Sequence, residues 1–229
     1  MRPLPLMVFG AGFGTRMGPL TATRPKPLIE LGGVTLLDRA REIGAAAGCT
    51  PVVVNTHCMA DAIARHLAGT GTIISDESTR ILETGGGLRH ALPHLGEGPV
   101  ATLNPDGLWS GPNPLTLLGS AWIPDRMGAL LLVLPLTRAI AHNGAGDFSM
   151  DADGRLGRGG PFVYTGAQIL DPSGLHDIED EVFSLNRLWT ALVAKGQLFG
   201  IQYPGRWCDV GHPEGLAAAE ALLAETPDV

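Results

Sequence analysis

The chain has 229 residues, a formal net charge of −7, 45% hydrophobic residues and only 17% charged ones, a composition that supports one large α/β core without disulfide or metal staples. An acidic balance with no basic run excludes the electrostatic footprint of a nucleic-acid binder, and the longest apolar run, 128–136, is too short to span a bilayer and contains Pro135. Cys49, Cys58 and Cys208 form no CxxC pair, so neither a disulfide framework nor a structural zinc site is expected, and a reducing cytoplasm is the expected compartment.

Met1-Arg2-Pro3 and the apolar stretch after it lack a small-residue cleavage site, so no targeting segment is expected. Leu4 to Phe9 is a near-continuous apolar run of strand length, the pattern of a strand buried on both faces. The loop Gly10-Ala11-Gly12-Phe13-Gly14 follows. It could open a dinucleotide-binding unit, with Glu30 placed for a ribose, but such a unit needs a helix directly after the loop. Pro19, Pro25 and Pro27 exclude that helix, and no Gly-Lys-Ser/Thr makes a Walker loop. What remains is an extended segment from Gly10 to Leu28 carrying Arg16, Arg24 and Lys26. Lys26 is one of only two lysines in the chain, the other being Lys195. Small residues that let backbone N–H groups reach phosphate oxygens, with Arg16 and Lys26 as cations, suit a polyphosphate.

Thr35 is placed to cap a helix carrying Leu37, Ala40, Ile43 or Gly44, and Ala47 on one face, and Gly48 ends it. A strand at 52–55, a helix at 60–67, a strand at 72–75, a helix starting near Gly87 and a strand at 100–104 follow. This alternation predicts a mainly parallel sheet with helices on both sides. Ligands of such sheets lie beyond the C-terminal strand ends, where the glycine loop and Asn104-Pro105-Asp106 both emerge. In the second half, strands are expected at 129–134, 147–150, 162–170 and 198–203, with a turn at Asp153-Gly154, and helices at 184–195 and 213–224. We read 1–229 as one domain, with a nucleotide-side core over about 1–125 and a substrate-side lobe over about 126–229, which the resemblance described below would make the sugar-phosphate half. His90 and His94 have the i,i+4 spacing of metal ligands but no third ligand, so they read as surface residues. Trp109, Trp122 and Trp189 read as packing residues.

The string from Gly10 through Thr15-Arg16-Met17-Gly18-Pro19-Leu20-Thr21, followed by Arg24-Pro25-Lys26-Pro27-Leu28, closely resembles the signature of the sugar-1-phosphate nucleotidyltransferases. Further matches extend over nearly the whole chain. Glu83-Thr84-Gly85-Gly86-Gly87 resembles the segment that faces the nucleobase in N-acetylmuramate-1-phosphate uridylyltransferases. Asn104-Pro105-Asp106 and Trp207-x-Asp209-Val210-Gly211-x-Pro213-Glu214 resemble the two elements that each supply a metal aspartate. Gly146-Asp147-Phe148, Asp153-Gly154-Arg155-Leu156 and Tyr164-Thr165-Gly166 resemble the sugar side.

The resemblance implies a three-layer α/β/α fold of the nucleotide-diphospho-sugar transferase type, with a mixed, mostly parallel sheet. It implies that Gly10, Ala11, Gly12, Gly14, Thr15, Glu83, Thr84, Gly85 and Gly86 bind the nucleotide, and that Asp147, Thr165 and Gly166 bind the sugar phosphate. Asp106 and Asp209 would hold Mg²⁺; Lys26 would lie between the α-phosphate and the sugar phosphate, and Arg16 near the leaving pyrophosphate. The partners would be a nucleoside triphosphate and a sugar 1-phosphate, with direct transfer between them. UTP with N-acetylmuramate 1-phosphate, for peptidoglycan recycling, is the expected pair; mannose-1-phosphate guanylyltransferase and a catalytically silent sugar-nucleotide sensor are the alternatives.

Each motif has a plainer reading: a turn at Asp106, a hinge at Gly85 to Gly87, a β-bulge at Thr165-Gly166. The chain also departs from the family pattern. Gly10 stands where alanine is commoner, Pro105 precedes the metal aspartate, His212 replaces a threonine, Tyr164 lies where relatives carry an asparagine, and the I-V-E glutamate has no counterpart. With 15 residues after Pro213-Glu214, the β-helix domain of bifunctional relatives is not expected.

Overall fold

The computed structural model describes residues 3–225. Strand β1 (Leu6–Phe9) is apolar throughout because both faces are covered, Leu6 and Val8 entering one core and Met7 the other. The chain then makes two 3₁₀ turns, Thr15–Thr21 and Lys26–Leu28, rather than an α-helix, as the prolines require. A short hairpin of β2 (Glu30–Leu31) and β3 (Val34–Thr35) leads into α1 (Leu36–Ala46). Here the Thr35 hydroxyl accepts from the Asp38 N–H at 3.0 Å, as expected of the cap.

β4 (Val52–Thr56), α2 (Ala60–Leu67) and β5 (Ile73–Asp76) follow. Then come α3 (Glu83–Leu95), β6 (Val100–Leu103), β7 (Gly107–Ser110) and α4 (Pro114–Ala121). The second half holds β8 (Ala129–Pro135), β9 (Ala139–Ile140), β10 (Phe148–Met150), β11 (Leu156–Arg158) and β12 (Phe162–Leu170). It ends with α5 (Asn186–Ala194), β13 (Leu198–Gln202), β14 (Arg206–Asp209) and α6 (Pro213–Glu225).

In the main nine-stranded sheet, β5, β4, β1 and β6 lie side by side and parallel. β12 pairs antiparallel with both β6 and β8, β13 runs parallel to β8, and β10 and β11 extend the sheet from the start of β12. The chain passes from β1 to β4 and β5 in one direction, then returns through α3 to β6 on the other side of β1. The C-terminal ends of β1 and β6, at Gly10 and Asn104, therefore form the crevice where α/β sheets take ligands.

Helices α1, α2 and α4 cover one face through Leu37, Ala40, Ile63, Leu67, Leu115 and Leu118. Helices α3 and α5 cover the other through Leu88, Ala91, Leu95, Leu188, Trp189 and Leu192. A third, smaller core joins Met17 of the first 3₁₀ turn to Leu108, Cys208 and Val210 and to Ala219 and Leu222 of α6. It fastens the loop after β1 to a separate three-stranded sheet, β7-β14-β9.

Two helices start elsewhere than the sequence predicts. α3 begins at Glu83, not near Gly87, although each glycine costs about 1 kcal/mol relative to alanine in a helix. Packing overrides that cost: a β-carbon at Gly85 would fall 2.4 Å from the Phe183 ring, and one at Gly86 2.4 Å from the Glu181 carbonyl oxygen. The Phe183 carbonyl caps the turn by accepting from both amides, at 2.8 and 3.0 Å. α5 begins at Asn186 because Ser184 serves as a turn residue, its Oγ accepting from the Asn186 N–H at 3.2 Å.

Candidate active site

A cavity of about 270 Å³ opens at the crevice between β1 and β6. Gly10, Ala11, Gly12, Gly14, Thr15, Arg16, Lys26, Glu83, Thr84 and Asp106 all line it, so ten residues singled out in the sequence converge on one space. The loop closes on itself at Gly14, whose φ is +65° and where a β-carbon would fall 2.8 Å from Lys26 Cβ. Only glycine fits both constraints, and this contact sets the lysine beside the glycine loop. Lys26 Nζ then donates to Asp106 Oδ2 at 2.5 Å, with both side chains largely sheltered from solvent. Asp106 Oδ1 accepts no hydrogen bond among the described residues.

Asp209 approaches this cavity from the small sheet without itself lining it. Gly107 of β7 pairs with Asp209 of β14, and the Val210 N–H donates to the Asp106 carbonyl at 2.8 Å. The Gly211 N–H donates to Asp209 Oδ1 at 2.8 Å, and His142 Nδ1 lies 3.2 Å from Oδ2. A β-carbon at Gly211 would fall 2.7 Å from Asp209 Oδ1 and 3.0 Å from Arg16 Nη2, so Arg16 and Asp209 flank that glycine at the cavity edge. Neither β7 nor β14 is readable from the sequence pattern, yet their ladder is what sets Asp209 opposite Gly107, the residue after Asp106. Burial, with the charge of Asp209 adding to it, pushes the adjacent Cys208 thiol up to about 11.

Beneath the glycine loop lies a buried polar chain that the sequence reading did not single out. The Gly10 N–H donates to Asn55 Oδ1 at 2.8 Å, Asn55 Nδ2 donates to Glu77 Oε1 at 2.6 Å, and Glu77 Oε2 accepts from the Leu82 N–H at 3.0 Å. Asn55 and Glu77 are each 2% exposed. The only sequence signal was two polar residues at the ends of apolar strands. The chain links the end of β4 to both the phosphate-side loop and the start of α3, which carries Glu83 and Thr84.

A second cavity, of about 300 Å³, adjoins the first and shares Phe9, Thr84 and Asn104 with it. It lies where β12 leaves β6 and is picked up by β10. Asp147 lines it, with Oδ2 accepting from the Tyr164 N–H at 2.9 Å. Arg158, Tyr164, Asn186 and Trp189 complete its polar and aromatic wall. Burial lowers the Arg158 pKa, and the Asp147 charge opposes that shift. Burial also drives the Tyr164 hydroxyl well above the usual phenol range. Below the wall, Trp189 Nε1 donates to Gln168 Oε1 at 3.0 Å and Gln168 Nε2 to Thr102 Oγ1 at 3.1 Å, tying α5 to β12 and β6.

Five expected residues lie off the cavity walls, Asp209 among them. Gly85 and Gly86 are buried in α3 with their amides committed to Phe183. Thr165 is 1% exposed, and its hydroxyl donates to the Leu132 carbonyl at 2.9 Å. Gly166 sits in a β-bulge between Tyr164 and Gln168 against the Asn104 side chain, matching the plainer reading of Thr165-Gly166. His90 and His94 are exposed, and Trp109, Trp122 and Trp189 are packed into the two main cores.

The model of the MobA-like NTP transferase domain matches residues 6–129 of this chain. An N-acetylmuramate alpha-1-phosphate uridylyltransferase of Caulobacter vibrioides is 40% identical over 233 residues, covering 96% of each chain. One of Neisseria meningitidis is 30% identical over 94% of this chain and 96% of its own length. A mannose-1-phosphate guanyltransferase of Neurospora crassa is 27% identical over 94% of this chain and 63% of its own length. Among solved structures, a putative glucose-1-phosphate thymidylyltransferase from Bacillus anthracis superposes with a TM-score of 0.80 at 16% identity, covering 99% of this chain and 96% of its own.

Proposed function

The chain belongs to the sugar-1-phosphate nucleotidyltransferases, within the MobA-like NTP transferase family, and from that premise we propose that it transfers UMP from UTP to N-acetylmuramate 1-phosphate with release of pyrophosphate. The observation that carries the reaction class to this site is the 2.5 Å pair of Lys26 and Asp106 at the mouth of the glycine loop, with Asp209 on the adjoining strand. Both uridylyltransferase relatives cover nearly the full length of this chain at higher identity than the guanyltransferase, which supports the choice of substrates.

The barrier is the meeting of two polyanions. Amides of the loop beyond Gly10 would take the triphosphate oxygens, the Gly10 N–H itself being committed to Asn55 Oδ1, which holds the loop in place from below. Lys26, compact and anchored, would stand between the α-phosphate and the incoming sugar phosphate. Arg16 at the cavity edge would neutralise the departing pyrophosphate. The sugar phosphate oxygen is itself the nucleophile, so no side chain forms a covalent bond; positioning and charge stabilisation do the work. Glu83 and Thr84 would face the base, and the Asp147 cavity the sugar ring.

The donor set fits a divalent cation. The two aspartates come from adjoining strands, Asp209 pairing with Gly107 directly after Asp106, and among the described residues Asp106 Oδ1 accepts no hydrogen bond; among those residues no group of three or more His, Cys, Asp or Glu side chains gathers there, so phosphate oxygens would have to complete the ligand set. Asp106 and Asp209 would hold Mg²⁺, whose preference for few protein oxygens and phosphate ligands suits this site and whose charge would offset that of the phosphates. No helix among the described residues is long and apolar enough to cross a membrane; a UTP-consuming enzyme of this kind would work in the cytoplasm, returning cell-wall sugar to use.

Pyrophosphate release from a matrix of nucleoside triphosphates and sugar 1-phosphates tests the proposal. UTP with N-acetylmuramate 1-phosphate should be the best pair, activity should vanish with chelator, and Asp209→Asn should raise the Mg²⁺ requirement. Preference for GTP with mannose 1-phosphate would overturn the substrates. Tight UTP binding with no release from any pair would leave a sensor.

A further inference from the structure

The second cavity contains a fixed cation that the transfer reaction does not use. Arg158, at the end of β11, donates Nη1 to Asn186 Oδ1 at 2.9 Å and Nη2 to the Asn186 carbonyl at 2.7 Å and to Thr190 Oγ1 at 3.1 Å. Its guanidinium also lies 5.2 Å from the Phe148 ring centroid and 5.6 Å from that of Trp189. Three hydrogen bonds and two rings set its direction, yet each hydrogen-bond partner is a neutral oxygen. Among the described residues no carboxylate lies within ion-pair distance of it, although the Asp147 charge in the same cavity acts on it. Three of its five N–H donors are used, which leaves two for a ligand.

The phosphate of a sugar 1-phosphate would be met by Lys26 in the first cavity, and a sugar whose ring substituents are all uncharged leaves nothing in the second for such a group to neutralise. Asp147, whose Oδ2 is held by the Tyr164 N–H, is an acceptor suited to ring hydroxyls, whereas a fixed guanidinium with spare donors matches a planar anion. N-acetylmuramate differs from N-acetylglucosamine by a lactyl ether that ends in a carboxylate. We propose that Arg158, held by Asn186, is the residue that recognises the carboxylate substituent of the sugar and so selects a sugar 1-phosphate that bears this carboxylate over the counterpart that lacks it. The assignment rests on the uridylyltransferase reading above and deepens it.

Steady-state pyrophosphate release at saturating UTP tests this with wild type, Arg158→Gln and Arg158→Lys. N-acetylmuramate 1-phosphate and N-acetylglucosamine 1-phosphate are compared, the latter as substrate or as competitive inhibitor. Arg158→Gln should raise KM for the acidic sugar about ten- to a hundredfold, the loss of charged hydrogen bonds. Its kcat should change less than about twofold, and the uncharged sugar should bind as in wild type. Arg158→Lys should recover part of the loss. Equal losses for both sugars, or an unchanged ratio of kcat/KM, would overturn the assignment while leaving the uridylyltransferase reading intact. A wild-type enzyme that accepts only sugar 1-phosphates lacking this carboxylate would overturn both. Thermal melts of the variants separate binding loss from misfolding: a lowered Tm with an unchanged ratio counts against the assignment.

Discussion

On the nucleotide side of the cleft, almost every polar group comes from one contiguous loop or from the end of a parallel strand; on the sugar side, Asp147, Arg158 and Asn186 come from three separated segments around an antiparallel strand with a bulge. The first side binds what all substrates of the reaction share, a chain of phosphates. Its chemistry is repetitive, so backbone amides, one lysine and one arginine suffice. The second must tell one sugar from another, and it does so with a wall assembled from parts that no sequence window contains. The difference predicts that damage to the first side slows every substrate pair alike, whereas damage to the second changes which sugar is chosen.

Lys26→Ala is the most severe way to test that division. It removes the cation placed between the two phosphates, and we expect turnover to fall about 10²–10³-fold, the usual cost of losing one transition-state donor. The loss should be the same for N-acetylmuramate 1-phosphate and for any other sugar accepted, read as pyrophosphate release. A Lys26→Ala enzyme with near-normal turnover would remove this lysine from the chemistry. Arg158→Gln is the counterpart on the other side, with an effect confined to one sugar.

Glu77→Gln probes what holds the nucleotide side in shape. The buried carboxylate accepts from both Asn55 Nδ2 and the Leu82 N–H; a glutamine has one acceptor oxygen, so one donor is stranded. A buried unpaired donor costs about 1–3 kcal/mol, and at about 2–4 °C per kcal/mol for a domain of this size the melt should drop by several degrees. Because Asn55 also carries the Gly10 amide, KM for UTP should rise while KM for the sugar stays put. A rise in sugar KM alone would show that the two sides are not separately supported.

The same contrast explains what could be read from the sequence. The parallel half was legible because strand–helix alternation and apolar runs are local signals, and the glycine loop with Arg16 and Lys26 is one uninterrupted string. Asp106 and Asp209 were legible as motifs, but their adjacency depends on the β7–β14 ladder, whose four-residue strands carry no alternation strong enough to register. Asn55 and Glu77 look like ordinary strand-end polar residues until burial shows that each is committed. Gly85 and Gly86 gave a true signal with a different cause: glycine is needed there for Phe183 and Glu181, not for a nucleotide. Arg158 left no trace, because a lone arginine before a Gly-Gly turn is common and only the β10–β12 arrangement gives it a cavity to face.

Thr165 offers the mildest and sharpest division between the two accounts of the sugar side. Family resemblance places its hydroxyl against the sugar phosphate; the fold instead turns it into the sheet. At the bulge the register passes from Tyr164 opposite Val133 to Gln168 opposite Leu131, so Leu132 has no partner on β12, and the Thr165 hydroxyl supplies one by donating to the Leu132 carbonyl. Thr165→Val keeps the shape and removes that single bond. The expected cost is about 1 kcal/mol of stability, the net worth of a buried hydrogen bond, seen as a Tm lowered by about 2–4 °C. KM and kcat should remain unchanged for both sugars, because no substrate atom is touched. A tenfold rise in sugar KM at unchanged Tm would return Thr165 to the sugar site and would mean that the bulge opens when substrate binds.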